Sequence, residues 1–168
     1  ASVKRRRSTV VIEPPEGWQL YYPPERVVGP IARVIRFAHP GDEEEGIAVT
    51  FFEARDETID VEPHINEWIV REGARRYPDV EFLGSRYLGG ELAAGASFTR
   101  KTDKRVSHAV QRWEVWREDE GLWDFELRSA PDASVIAPEL IAALDTVTWV
   151  DAPPSFRCSP ALSSDINC

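Results

Sequence analysis

The most reactive residues of this chain lie at its end. Cys158 and the terminal Cys168 bracket Ser159, Ser163 and Ser164. Two thiols so close in sequence can close a small disulfide ring, and a thiolate beside dehydrated serines supplies the ingredients of a thioether ring. Within the body of the chain, Asp124 and Glu126 stand two apart, a spacing that puts two carboxylates on one strand face. In a cleft such a pair shares a proton; on an ordinary strand it is a wet surface, and that plainer reading is the expectation. His39, His64 and His108 fall in a loop, at a helix start and in a strand. They lack the i, i+4 spacing that sets two metal ligands on one helical face. No Gly-x-Ser-x-Gly segment offers a nucleophile on a sharp turn, and Gly89-Gly90 lacks the lysine and helix of a phosphate-cradling loop. The expectation is a non-enzymatic chain with no catalytic, cofactor or metal site.

The elements that would position these groups are organised around Arg112 to Arg128, which holds three of the six tryptophans. Trp123, Phe125 and Leu127 alternate with Asp124, Glu126 and Arg128, the period of a strand with one buried face. Trp113 and Val115 share one face of the partner strand, Arg112, Glu114 and Trp116 the other, and Glu118 to Gly121 supplies the turn. Further strands are expected at Val10–Ile12, Trp18–Tyr22, Ile31–Ala38, Ile47–Ala54, Val80–Arg86 and Glu91–Lys101, with the acidic run Asp42–Gly46 in a solvated turn. Asp60–Tyr77 reads as the main helix, capped by Asp60, with Ile65, Trp68, Ile69 and Gly73 inward and Glu67, Arg71 and Arg75 as an exposed ladder. The small residues Ala93, Ala94, Gly95 and Ala96 imply that another element, most simply a helix, lies close against the sheet. Ile136–Thr146 forms a second helix, and Val147–Val150 can return to the sheet carrying Trp149. This order predicts an α+β fold: an antiparallel sheet flanked by two helices.

With 168 residues, 42% of them hydrophobic, the chain is long enough for one well-buried domain. We expect a basic flexible arm over residues 1–7, a single domain over 8–150 and a flexible tail over 151–168. Lys4, Arg5, Arg6 and Arg7 leave a charge of −13 on the remainder of a chain whose net charge is −9, so the body would repel a phosphate backbone and no nucleic-acid partner is expected. No apolar run approaches the roughly 18 residues of a membrane span. The arm is not followed by a signal-peptide core, which gives a cytoplasmic expectation. The alternative is a secreted or cell-envelope protein whose leader preceded Ala1.

Pro15-Glu16-Gly17-Trp18-Gln19-Leu20-Tyr21-Tyr22-Pro23, Ile47-Ala48-Val49-Thr50, Gly90-Glu91-Leu92-Ala93-Ala94-Gly95-Ala96 and the closing run Leu140 to Trp149 together resemble the PsbP-like α/β fold over about residues 9 to 150. That fold is shared by the photosystem protein that names it, a small Ran-binding import factor and mycobacterial lipoproteins of the LpqN type. The resemblance implies an adaptor-like or chaperone-like domain that binds a protein or peptide partner. The chain departs from the lipoproteins in having no lipid-attachment cysteine near Ala1, and the pattern leaves the two-cysteine tail unexplained. Among the aromatics, Trp123, Trp113, Trp68 and Trp149 suit the core. Tyr21 and Trp116 are the candidates for a contact patch, the first opposite Trp18 and the second among charges near a turn. The alternative function takes residues 1–157 as a folded leader and the Cys/Ser tail as a modified core. A final cysteine after a serine-containing stretch is similar to ribosomally made precursor peptides whose terminal cysteine is decarboxylated and cyclised.

Overall fold

A computed structural model describes residues 8–21, 27–28, 31–54 and 56–151, with only the backbone described for residues 21, 27–28 and 31–33. The arm 1–7, Tyr22, and the tail with Cys158, Ser159, Ser163, Ser164 and Cys168 lie outside the described residues. The chain runs through β1 (Thr9–Val11), β2 (Gln19–Tyr21), β3 (Val27–Val28), β4 (Ile31–His39) and β5 (Asp42–Glu53) to the first helix. That helix has three stretches: α1 (Val61–Trp68), a π-helical stretch (Ile69–Gly73) and α2 (Ala74–Arg76). Strands β6 (Glu81–Leu88), β7 (Glu91–Lys101), β8 (Ser107–Arg117) and β9 (Gly121–Arg128) follow. The second helix, α3 (Pro138–Ala143), tightens to a 3-10 turn at Leu144–Thr146 before β10 (Thr148–Val150). The main sheet is antiparallel, ordered β2-β4-β5-β9-β8-β7-β6, with β3 also paired to β4. This is the α+β architecture expected.

Alternation along the strands divides the sheet into two unlike faces. One face is apolar: Ile35, Val49, Phe125 and Trp113 follow one another across four strands, and Phe51, Trp123 and Val115 form the next row. These side chains are buried under Leu140, Ala143 and Leu144 of the second helix and Val10 of β1. Gly95, opposite Trp113, has no side chain because the indole occupies that space; a Cβ there would sit 2.5 Å from the ring. Gly95→Ala is therefore expected to displace the ring and cost about 1–3 kcal/mol. Shortening the indole with Trp113→Leu should recover part of that loss, as urea unfolding midpoints would show.

Three expectations need correction. Asp42–Gly46 is not a turn but the start of β5, and only Pro40-Gly41 reverses the chain. Backbone pairing holds the two ends of the run, Asp42 to His39 and Gly46 to Ala38, and between them, where the register shifts, Glu44 reaches the buried His108 ring (3.0 Å) and Arg36 donates to the Glu43 carbonyl. His39 accordingly ends a strand. The return strand β10 does not join the main sheet but pairs with β1 as a separate ribbon. There Trp149 packs edge-on against Trp123 and donates from Nε1 to the Leu88 carbonyl (2.9 Å), covering an apolar face that a sheet-edge position would leave open. Finally, Asp60 precedes α1 without a side-chain cap bond, and the helix changes to π pitch at Ile69.

Candidate functional site

The opposite face carries the polar half of the hairpin. Register places Arg36, Ala48, Glu126, Arg112 and Ala96 in one row, and Thr50, Asp124, Glu114 and Ala94 in the next. α1 covers only part of this face. Its Val61 and Ile65 close onto Ala94 and Ala96, which are small enough to admit the helix, as the run of small residues implied. Over β9, β5 and β4 the same face stays open. The result is a trough lined by Glu43 and Glu44 of the β4–β5 hairpin, by Gly46, Ala48 and Thr50 of β5 and by Asp124 and Glu126 of β9, while His64 and Trp68 of α1 meet Glu114 and Arg112 next to it. The cavity there measures about 200 Å³.

Asp124 and Glu126 are therefore not the freely exposed surface expected. Glu126 takes both guanidinium nitrogens of Arg100 (2.5 and 3.1 Å) and lies 3.3 Å from Arg128. Burial alone would raise its carboxyl, but the hydrogen bonds and charge of Arg100, with Arg128 behind them, hold it below the usual range. Glu114, 1% exposed, is shared by Arg112 (3.0 Å) and His64 (2.6 Å), which ties helix to sheet. Arg112 Nε also reaches Asp124 Oδ2 at 2.9 Å, while its guanidinium lies 5.0 Å from the Trp68 ring centre. Among the carboxylate oxygens of this cluster, Asp124 Oδ1 is shielded from water and has no hydrogen-bond partner. Burial, reinforced by Glu114 and Glu126 and opposed by Arg112, pushes the Asp124 carboxyl up to about 7.

That shift has a defined sign in stability. An unfolded aspartate loses its proton near pH ~4, whereas the native one keeps it to about 7. Between those values the native state binds more protons, so this group's contribution falls as pH rises across the window. Glu126, shifted the other way, contributes in the opposite sense at lower pH. Unfolding midpoints of the wild type should thus decline relative to Asp124→Asn between pH ~4 and ~7; a constant difference would contradict the assignment.

The contact residues expected from sequence are not brought together. Tyr21 pairs through its backbone with Arg36 in β4, while Trp116 lies on β8, with β4, β5 and β9 between their strands. Trp116 is half-buried against the cluster of Val61, Ile65, Ala94 and Leu122, and its Nε1 has no partner. It belongs to an apolar row at one end of the polar face. Phe52 (41% exposed), Leu122 and Trp116 are register partners, and Leu92 (41%) and Tyr87 (70%) continue the row on β7 and β6. Sequence reasoning missed the part played by His64, Arg100 and Arg112. The signal available was the cross-strand match of cations on β7 and β8 with acids on β9, which becomes visible only once register is known. Among the described residues, no helix is long and apolar enough to cross a membrane.

Comparison with known proteins agrees with this architecture. No protein-family model matches the chain, and no curated protein is significantly similar in sequence. Among solved structures it is similar to LpqN of Mycobacterium tuberculosis, described as involved in cell envelope biogenesis. The TM-score is 0.50 at 18% identity, covering 86% of this chain and 84% of LpqN. At that identity the likeness is one of fold, and the fold of this chain is LpqN-like.

Proposed function

We propose that this chain is a non-enzymatic binding module, adaptor-like or chaperone-like, that takes a protein or peptide on the polar face of the sheet beside α1. The observation that carries this reading is the pairing of a charged trough with an apolar row on one continuous face. Phe52, Trp116, Leu92 and Tyr87 offer area to bury, and the ion pairs beside them offer orientation and selectivity. Arg100, Arg112 and Arg128 are already matched to carboxylates, an arrangement that holds a rigid charged surface in place before a partner arrives. Adaptors and assembly factors built on the PsbP-like fold fit the same use. The description of LpqN favours a role connected with the cell envelope over the cytoplasmic expectation.

A photo-reactive residue in place of Ala48, in the trough floor, tests this reading against one in place of the exposed Val135 beside α3. Ala48 should cross-link to a defined polypeptide that, once purified, rebinds reversibly and returns with unchanged mass, while Val135 should not. Equal labelling at the two positions, or turnover of the captured molecule, would contradict it.

A further inference from the structure

Resting on that reading, we propose that the trough receives the cationic side chain of a lysine or arginine from a basic segment of the partner, with Asp124 Oδ1 as its principal acceptor. Three neighbouring carboxylates are committed. Glu126 is held by two arginines, Glu114 by Arg112 and His64, and Glu44 by His108. Asp124 Oδ1 is buried without a donor, and a buried acceptor left so is costly until a donor arrives. Asp124 is among the residues that line the cavity. At about 200 Å³ it is smaller than the roughly 300–1,000 Å³ of a pocket for a drug-sized ligand, and suits one long side chain. Its lining sets four carboxylates, Glu43, Glu44, Asp124 and Glu126, against two guanidiniums, Arg36 and Arg128. Arg128 is already offset by Glu126, and Arg36 donates to the Glu43 carbonyl. With Glu126 also paired to Arg100 and Asp124 to Arg112, the lining as a whole is close to balanced, and the preference for a cation rests on the donor-less Asp124 Oδ1 in a chain of net charge −9.

The sign of the proton exchanged on binding separates this from the opposite case. A cation beside Asp124 favours its ionised form and expels a proton, whereas an anion on Arg36 and Arg128 favours the neutral form and takes one up. Titration calorimetry at neutral pH, in two buffers of different ionisation enthalpy, would compare three capped peptides differing only at a central lysine, acetyl-lysine or glutamate, with a simple alkylamine as a fourth probe. The lysine peptide should bind with proton release. Acetyl-lysine and Asp124→Asn should each weaken binding about ten-fold or more, the loss of a charge-assisted hydrogen bond, and Asp124→Asn should abolish the proton release. Proton release measured on the wild type keeps the test independent of how the variant folds. Tighter binding of the glutamate peptide with proton uptake would overturn the cation inference while leaving peptide binding intact. Binding of the alkylamine with no added affinity from the peptide would instead remove the peptide reading and keep the cation site. Binding by none of the four would overturn the inference.

Discussion

Arg112→Ala is expected to destabilise the protein by about 3 kcal/mol or more, although it deletes no part of the apolar core. Arg112 lies within 3.0 Å of Glu114 and 2.9 Å of Asp124 and packs on Trp68. Without it, Glu114 remains buried with only His64 beside it, and Asp124 loses the one cation that opposes its neutralisation. Breaking a buried ion pair from one side costs more than the pair contributes, because the remaining charge stays desolvated. The loss should be smaller at mildly acidic pH, where Asp124 is already protonated. Arg112→Lys should recover only part of it, since an ammonium cannot address two carboxylates and an indole in the same geometry. The control is Arg71→Ala on the solvent side of the helix. Its pair with Glu67 is 75% and 56% exposed, and such a pair contributes about 0.5 kcal/mol or less. Urea unfolding of both variants would show the contrast, and equal midpoints would mean that the trough ions are solvated after all.

Trp123→Ala is expected to cost about 4 kcal/mol. The indole is 1% exposed, lies 4.8 Å from the Phe51 ring and meets Trp149 edge-on at 5.1 Å. Removing it undermines both the main sheet and the β1–β10 ribbon docked on it. Its Nε1 is buried without a partner, so Trp123→Phe should retain most of the stability by sparing an unsatisfied donor while keeping a ring. Loss of the ribbon can be read separately as increased hydrogen exchange at Val10 and Trp149, which pair in it. If Trp123→Ala left the unfolding midpoint within the scatter of surface variants, the core described here would be wrong.

Much of this fold was legible in local pattern. The alternation of Trp123, Phe125 and Leu127 gave the strand and its buried side, and Ala94 and Ala96 marked where the helix would lie. What local pattern does not carry is what covers a face. Asp124 and Glu126 read as a wet surface because nothing nearby in sequence shows that Arg112 and Arg100 pair with them. The pairing of β1 with β10 escaped for the same reason: it joins opposite ends of the domain and follows from the need to cover Trp123 and Phe125. The acidic run Asp42–Gly46 has turn composition, but cross-strand pairing and the buried His108 impose a strand on it. Tyr21 stands out in sequence by facing opposite to Trp18 and Trp116 by lying among charges near a turn, local features that say nothing about whether two such residues share a surface.

The account turns on which side of the sheet does the recognising, and backbone amide chemical shifts followed during titration with the basic peptide address that directly. The expected result is a contiguous set of perturbed amides at Ala48, Thr50, Asp124 and Glu126, extending to His64 on the facing helix. Perturbations confined to Thr9–Val11, Thr148–Val150 and the second helix, or none at all, would contradict it.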